Sequence, residues 1–423
     1  MATLPSTDDG GRIVTLDIIR GIAVMGIFSV NVIAFAMVEG AYFNPSIYGG
    51  HTGANFVVWA TNMVLIDGKM RTLFSMLFGA SMLLVIERAE AAGKSGAQVH
   101  VHRMLVLLCF GLLHYYFIWF GDILTLYAVC GLIVFAFRKM SVEKLAALGA
   151  SFLLGHMLLF GAFLFDGYRA DLAAHAPNAS AAAVQAWKDS FGAFSPSASM
   201  IADDKAIHLG SYADYIRYRL LEWDSVFAMN LPFIPDTIGL MLLGMAGYRS
   251  GFLTGEWTDE TYRKIAWRAL PVGVLCGLAI VAADVATNFG VISTMASFVV
   301  LATPFLTVMA IGYAALIILL SRGFGPLAQR VAAAGRCAFS NYLGTSIAAS
   351  LIFNGWGLGL YGSLSRWQAW CLVPVFWAVM LLWSKPWLER FRYGPFEWAW
   401  RSLARLKLQP MRKPVPAAAQ AEG

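Results

Sequence analysis

This chain contains few charged residues. Only 13% of its 423 residues are Asp, Glu, Lys or Arg, and 59% are hydrophobic, whereas about a quarter of the residues in soluble domains are charged. The apolar residues recur in runs of about 20, the length at which a helix crosses a bilayer. The composition therefore excludes an ordinary soluble domain and predicts an all-α, polytopic membrane helical bundle, with residues 1–423 forming a single domain.

Cysteines are also few, and the motifs of soluble enzymes are missing. The five cysteines lie within apolar runs and have neither the spacing of a disulfide framework nor that of a metal site. His100 and His102 have no nearby carboxylate or cysteine in the sequence to complete a metal site. No glycine-rich phosphate loop, GxSxG or HExxH motif occurs. We therefore predict no metal and exclude the enzyme classes that these motifs mark.

A signal peptide and a nucleic-acid surface are not predicted either. Residues 1–11 are polar and include Asp8 and Asp9, without a basic segment followed by an apolar core, so we expect no signal peptide. The net charge of +6 comes from basic residues between and after the apolar runs, which is typical of the cytoplasmic loops of membrane proteins. The expected partner of this charge is the lipid bilayer and not nucleic acid.

The distribution of Lys and Arg orients ten predicted spans, with both termini in the cytoplasm. The apolar segment 55–66 is too short to cross and is predicted to be a half-helix or re-entrant segment. Residues 39–54 form an outer loop and 166–225 an outer polar excursion. Residues 386–413 form a cytoplasmic interfacial helix with a basic tail, and 414–423 a disordered tail. The ten spans cover residues 16–38, the stretch after Arg71 to about 87, 104–119, 123–137, 145–165, 226–247, 269–287, 292–320, 334–355 and 367–385.

The segment 103–127 carries the main candidate for chemistry. An ionisable residue at membrane depth is costly and normally faces a protein interior or a wet cavity, and His114 lies inside this apolar run. Asp122 follows the Gly121 turn and can fold back to orient the histidine as a general base. Arg103, eleven residues earlier, shares a helix face with His114 at a distance of roughly 16 Å. The alternative is a core histidine that donates one structural hydrogen bond.

The first span carries a second polar stripe. Arg20 and Asn31 are also eleven residues apart and share a face, and Asp17 can pair with Arg20. We predict that Arg20, Asp17 and Asn31 belong with Arg103 to a cofactor-binding face, although a purely structural ion pair with an interhelical Asn remains the alternative.

Further polar residues are predicted to bind the substrate. Lys69 and Arg71 would suit an anionic intermediate or acceptor, unless they only extend to the membrane surface. Asn341 would otherwise make interhelical hydrogen bonds. The complete predicted set is Tyr42, Asn44, Lys69, Arg71, Asn341 and Tyr342, and His51 in the outer loop is the reserve candidate for the base.

Five segments together resemble a known family. They are TLDIIRGIAVMGIFSVN near the start, AYFNP in the first outer loop, GLLHYYFIWFGDIL around His114, GRCAFSNYL late in the chain and GPFEWAWR near the end. In this order they resemble the YeiB-like bacterial membrane proteins, whose C-terminal half is the domain of unknown function 418. The resemblance covers essentially the whole chain and implies a multi-pass protein of the bacterial inner membrane.

The YeiB-like proteins are in turn similar to the transmembrane acyltransferases that include the lysosomal heparan-glucosaminide acetyltransferase, which shares the opening LD-x-x-RG pattern. This resemblance implies transfer of an acyl group, acetyl by analogy, from cytoplasmic acyl-coenzyme A to an acceptor across the membrane, with a histidine as base. The lysosomal enzyme places that histidine in its first outer loop, where this chain has His51, whereas the YeiB-like motif points to His114.

Two functions therefore follow from the sequence. The first is an acyl-CoA-dependent acyltransferase whose acceptor is a hydroxyl or amine on a small molecule, glycan or lipid. The second is a carrier or exporter of a small solute or lipid that uses the same polar stripe, with a broken helix near Pro232 and Pro235. A membrane scaffold would leave the buried His, Arg and Asn without a role. A homodimer is an arrangement that the sequence leaves open.

Overall fold

The first helix, Val14–Ala36, lies at the centre of the bundle. The computed structural model describes residues 12–223 and 225–413. In it, 78% of the most apolar 18-residue stretch of the first helix is buried, whereas the buried share of the corresponding stretch in the helix Val142–Ala174 is 22%. Gly21 and Gly335 permit a close backbone approach between this helix and Pro326–Arg336, since a Cβ at Gly21 would lie 2.1 Å from the Val331 carbonyl oxygen. The first helix is therefore fixed in position by its neighbours.

The described residues are helical, apart from turns and one isolated bridge between Phe391 and Arg412. Within them, eight helices are long and apolar enough to cross a membrane, and Leu124–Phe137 and Ala338–Phe353 are shorter apolar helices. The chain is thus an all-α, multi-pass membrane protein, and the count of ten spans and the side of each terminus stay predictions. The apolar helices and those that pack around the site are Val14–Ala36, Lys69–Ala91, Gly96–Phe117, Leu124–Val134, Val142–Ala174, Ile234–Arg249, Asp259–Ala286, Ala302–Ser321, Pro326–Arg336, Ala338–Phe353, Leu372–Arg390 and Pro395–Ala404. The remaining described helices and helical turns are Gly40–Phe43, Gly53–Thr61, Asn62–Ile66, Phe135–Phe137, Ala181–Phe191, Gly192–Phe194, Ala198–Leu209, Tyr212–Leu221, Ser225–Asn230, Leu231–Phe233, Val291–Met295, Ala296–Leu301 and Arg366–Trp370.

Three helices position the candidate site. The His helix is Gly96–Phe117, the Tyr helix is Ala338–Phe353, and the C-terminal helix is Pro395–Ala404. The C-terminal helix packs against both of the others. The predicted span 334–355 is wrong as one continuous helix, because the chain turns at Cys337 between Pro326–Arg336 and the Tyr helix.

Other predicted boundaries also change. The predicted span 145–165 continues as one helix to Ala174, and the excursion that follows is itself helical. A short helix and the turn Leu231–Phe233 precede Ile234–Arg249, as the two prolines led us to expect. Segment 53–66 is helical and is separated from Lys69–Ala91 by a break at Gly68, whose φ of 71° favours glycine. The predictions for residues 1–11 and 414–423 lie outside the described residues.

Candidate active site between two cavities

His114 and Asp122 form a buried pair at the end of the His helix. His114 Nδ1 lies 2.9 Å from Asp122 Oδ1, and both side chains are fully shielded from solvent. The pair forms because the His helix ends at Phe117 and the chain reverses before the helix at Leu124 begins. The other oxygen of Asp122 accepts the backbone N–H of Thr125 at 2.7 Å, which fixes the carboxylate from its second side.

The second ring nitrogen of His114, Nε2, makes no hydrogen bond with the described residues and can accept a proton. A carboxylate at Nδ1 assigns the proton to that nitrogen and leaves a lone pair on Nε2. Nε2 is buried and has no hydrogen-bond partner among the residues that the structure describes. The ring of Tyr342 lies 5.1 Å from the His114 ring, and that of Trp119 lies 6.2 Å away. This is the arrangement of a general base with an orienting carboxylate.

A basic cavity of about 240 Å³ lies along one end of the first helix and the His helix. Its lining, as far as the chain is described, includes six arginines and two carboxylates: Arg12, Arg20, Arg88, Arg103, Arg336, Arg401, Asp17 and Glu397. A wider surface basin of about 780 Å³ adjoins it and shares Arg88, Arg103 and Arg401. The basin adds four further basic residues, Lys94, His102, Arg405 and Lys407. Guanidinium groups in such number favour a polyanionic ligand.

Two of the predicted arginines are held in place within this basic cavity. Asp17 accepts hydrogen bonds from Arg12 and from Arg20, the latter at 2.9 Å, and Arg20 Nη2 donates to Ser81 at 2.7 Å. Arg103 lies over the Trp400 ring at 4.2 Å, and the indole N–H donates to the Arg103 carbonyl oxygen. Both arginines therefore present their guanidinium groups to the cavity from fixed positions.

An aromatic cavity of about 230 Å³ lies toward the other end of the bundle. Its aromatic lining residues are Tyr42, Phe43, Trp119, Phe120, Phe233, Phe298 and Tyr342. Its polar lining residues are Asn31, Glu39, Asp67, Arg71, Asp122 and Asn230. Among the described residues, acidic side chains outnumber basic ones in this lining, which is the reverse of the basic cavity.

A third, smaller cavity of about 80 Å³ continues from the aromatic cavity past Arg71. Arg71 Nη2 pairs with Asp236 at 2.6 Å, while its buried Nη1 finds no partner in the described part of the chain. Lys69 donates to the Met63 carbonyl oxygen. His156 lines this cavity with Nδ1 unpartnered among the described residues. Only part of the predicted cationic pair is therefore free for a ligand, because a backbone carbonyl occupies Lys69.

The basic and aromatic cavities meet beside the His114–Asp122 pair. Ile27, Ile123 and Tyr342 are the described residues that line both cavities. The predicted stripe on the first helix spans this junction, since Arg20 lines the basic cavity and Asn31 the aromatic one. A ligand extending from one cavity to the other would have to pass these three side chains.

Several predicted site residues do not reach the cavities. Asn44 is buried in a turn, donating to the Phe289 carbonyl oxygen at 2.8 Å and accepting from Ser46. Asn341 bonds to Ala334, Ser384 and Trp383, which is the interhelical role that was its alternative. His51 packs edge-on against Phe289 and lines none of the cavities described above. Asn44, Asn341 and His51 are therefore not brought to the cavities, and their roles in binding and catalysis stay predictions.

The C-terminal helix contributes to the site in a way that was not predicted from the sequence. Glu397, Trp400 and Arg401 line the basic cavity, so this helix is a wall of the site and not only a surface helix. The alternation of aromatic and basic residues in GPFEWAWR was the available signal, but an interfacial helix carries the same pattern.

Comparison with known proteins places the chain in a family. The C-terminal part, residues 247–407, matches the family model described as a protein of unknown function, DUF418. The chain is 30% identical to the uncharacterized protein YxaH of Bacillus subtilis over 98% of this chain and 99% of that one. It is also 30% identical to the uncharacterized protein YeiB of Escherichia coli over 93% of this chain and 96% of that one. No solved structure matches the chain.

Both relatives are bacterial and align along nearly their whole lengths, so the match extends well beyond the C-terminal region. The chain belongs to the DUF418 family, as a YeiB-like multi-pass membrane protein.

Proposed function

We propose that this protein is an acyltransferase of the bacterial inner membrane that moves an acyl group, in the simplest case acetyl, from cytoplasmic acyl-coenzyme A to a hydroxyl or amine on the outer side. One observation carries the proposal: the buried His114–Asp122 pair lies where a basic cavity and an aromatic cavity meet. A basic cavity suits an anionic donor, and a base beside the junction suits a transfer between the two.

The donor would enter from the basic end. The phosphates of coenzyme A need several fixed cationic donors, and Arg20 and Arg103 are already held in such positions. The basin offers room for the nucleotide, and the narrower basic cavity suits the pantetheine arm. Because positively charged loops stay in the cytoplasm, this assignment agrees with the predicted orientation.

The acceptor would occupy the aromatic cavity. Its hydroxyl or amino group loses a proton to His114 Nε2 while its oxygen or nitrogen bonds to the thioester carbonyl carbon. The carbon–sulfur bond then breaks, and the proton passes from the imidazolium to the departing thiolate. Asp122 keeps the imidazole in one tautomer and stabilises its charged form during the step.

The decisive experiment begins with the purified protein in detergent. Bound coenzyme A species are sought by mass spectrometry, and the thermal unfolding of the protein is followed as acetyl-CoA is added. Saturable stabilisation of the wild-type protein supports the donor site. If no coenzyme A species is found and acetyl-CoA does not stabilise the protein, the acyltransferase proposal fails.

A carrier of a small solute is the second candidate. The observation in its favour is that two cavities approach each other from opposite ends of the bundle, next to a broken helix at Leu231–Phe233. Proteoliposomes distinguish the two functions. An acyltransferase leaves free coenzyme A on the donor side and acylated product on the other side, whereas a carrier moves its solute chemically unchanged.

A further inference from the structure

The base candidate is covered in this structure. His114 is fully buried and lines neither the basic nor the aromatic cavity, as far as their linings are described. Its close neighbour Tyr342 lines both. No small molecule could reach His114 Nε2 from either cavity without a movement of the surrounding side chains.

The hydroxyl of Tyr342 is held weakly, whereas the backbone at the start of its helix is held firmly. Its hydroxyl donates one long hydrogen bond, 3.3 Å, to the Gly121 carbonyl oxygen. The start of the Tyr helix, by contrast, is locked to the C-terminal helix. Glu397 accepts the backbone N–H groups of Phe339 and Ser340 at 2.7 and 3.0 Å. The ring can therefore change rotamer by giving up the contacts of its hydroxyl with Gly121 and Ile123, while its backbone stays in place.

We propose that Tyr342 is a positioning residue with two linked roles: its ring separates the basic from the aromatic cavity, and the same ring covers His114. A ligand that fills the aromatic cavity displaces the ring, joins the two cavities and uncovers His114 in one movement. With the ring in its present position the base is shielded from solvent, and the ring lies with Ile27 and Ile123 between the two cavities.

The separation of the cavities holds for a carrier as well as for an enzyme, so this part does not depend on the proposed function. The uncovering of His114 rests on that function. Its chemical benefit is specificity, because a thioester that arrives without an acceptor otherwise meets water beside an exposed base.

The test of separation uses a cysteine in place of Asn31, which lines the aromatic cavity. Inverted membrane vesicles expose the cytoplasmic face to an anionic, membrane-impermeant methanethiosulfonate, and peptide mass spectrometry reads modification at position 31 apart from the native cysteines. With Tyr342 present, position 31 stays unmodified from this side. Tyr342→Ala is expected to raise its labelling clearly above background, and Tyr342→Phe, which keeps the ring, is expected to leave it unmodified.

Tyr127→Ala is the matched control. Tyr127 is buried, and it lines the basic cavity but not the aromatic cavity. Loss of its ring therefore widens the basic cavity without opening the junction. Labelling of position 31 in the Tyr342-containing protein, or equal labelling in Tyr127→Ala and Tyr342→Ala, overturns the proposal. So does unchanged labelling in a Tyr342→Ala protein whose thermal unfolding shows that it is folded.

A second measurement addresses the covering of His114. If acyl-CoA is the donor, Tyr342→Ala is expected to hydrolyse it faster than the wild-type protein when no acceptor is added, and His114→Ala in the same chain is expected to remove that gain. Equal hydrolysis by Tyr342→Ala and the wild-type protein rejects the covering role. A protein that does not bind acyl-CoA at all contradicts the proposed function and leaves the labelling result valid.

Discussion

Gly335 lies directly against Asp17: a Cβ at position 335 would stand 1.8 Å from the Asp17 carbonyl oxygen. Gly335→Ala therefore forces apart the first helix and Pro326–Arg336, and an overpacked site of this kind typically costs about 1–3 kcal/mol. We expect a lower thermal unfolding temperature and weaker binding of coenzyme A, since Asp17 holds Arg20. Gly344→Ala is the matched control, because it is helical and has no atom within 4 Å of the added Cβ among the described residues. Equal unfolding temperatures for the two variants would contradict the close packing.

His114→Ala is expected to reduce acyl transfer by about 10²–10⁴-fold, the usual contribution of a general base. Binding of coenzyme A should change little, because His114 lines neither described cavity. Asp122→Asn should reduce transfer less. The double variant should be no slower than His114→Ala, since an orienting group has nothing left to orient. The transfer rates and coenzyme A affinities of the three variants test whether His114 and Asp122 act as one unit. Additive losses of rate would show that the two residues act independently.

Arg103→Ala and Arg20→Ala should each weaken the stabilisation of the protein by coenzyme A. Loss of one charge-assisted hydrogen bond costs about 1.5–3 kcal/mol, which corresponds to roughly 10- to 100-fold in affinity. Arg263→Ala is the control, because Arg263 is exposed and lies outside the linings described for the basic cavity and the basin. Titration of thermal unfolding with coenzyme A measures the effect. If coenzyme A stabilises all three variants as much as the wild-type protein, Arg20 and Arg103 do not bind the donor.

Glu397 links pH to stability. Burial raises the pKa of its carboxyl above the ordinary value of 4.5, so the folded protein keeps this proton at pH values where the unfolded chain has lost it. The resulting stabilisation is complete below the unfolded pKa and is lost as the pH rises through the folded one. Thermal unfolding between about pH 4 and about pH 7 should show this loss in the wild-type protein and less of it in Glu397→Gln. Parallel pH profiles for the two proteins would refute the assignment.

Orientation in the membrane is open to a direct measurement. Lys94 is exposed in the turn before the His helix, and Asp189 is exposed in the helical excursion. Because Arg and Lys loops stay in the cytoplasm, Lys94→Cys should react with an impermeant thiol reagent only in inverted vesicles, and Asp189→Cys only in right-side-out vesicles. The reverse pattern would turn the molecule over and place the basic cavity outside.

The fold class and part of the site could be predicted because they depend on local sequence. Runs of apolar residues specify spanning helices, and a glycine turn seven residues after a histidine brings Asp122 back to His114. The Asp17–Arg20 pair follows from helical spacing in the same way.

The rest depends on contacts between distant segments. Glu397 and Trp400 reach the basic cavity from the far end of the chain, across about 300 residues from Arg103 and nearly 400 from Asp17 in sequence, and no local pattern states where a short amphipathic helix will dock. Asn341 and Tyr342 are adjacent, yet one bonds to neighbouring helices and the other lines both cavities. Only the rotation of the Tyr helix within the bundle separates their roles.

The six arginines of the basic cavity also affect what can leak through the protein. An opening between the two cavities would create a path through the bundle, along which a membrane potential drives protons and sodium ions. A vestibule lined by guanidinium groups repels these cations electrostatically. An anionic ligand could therefore pass the junction while the ion gradients that power the cell stay intact.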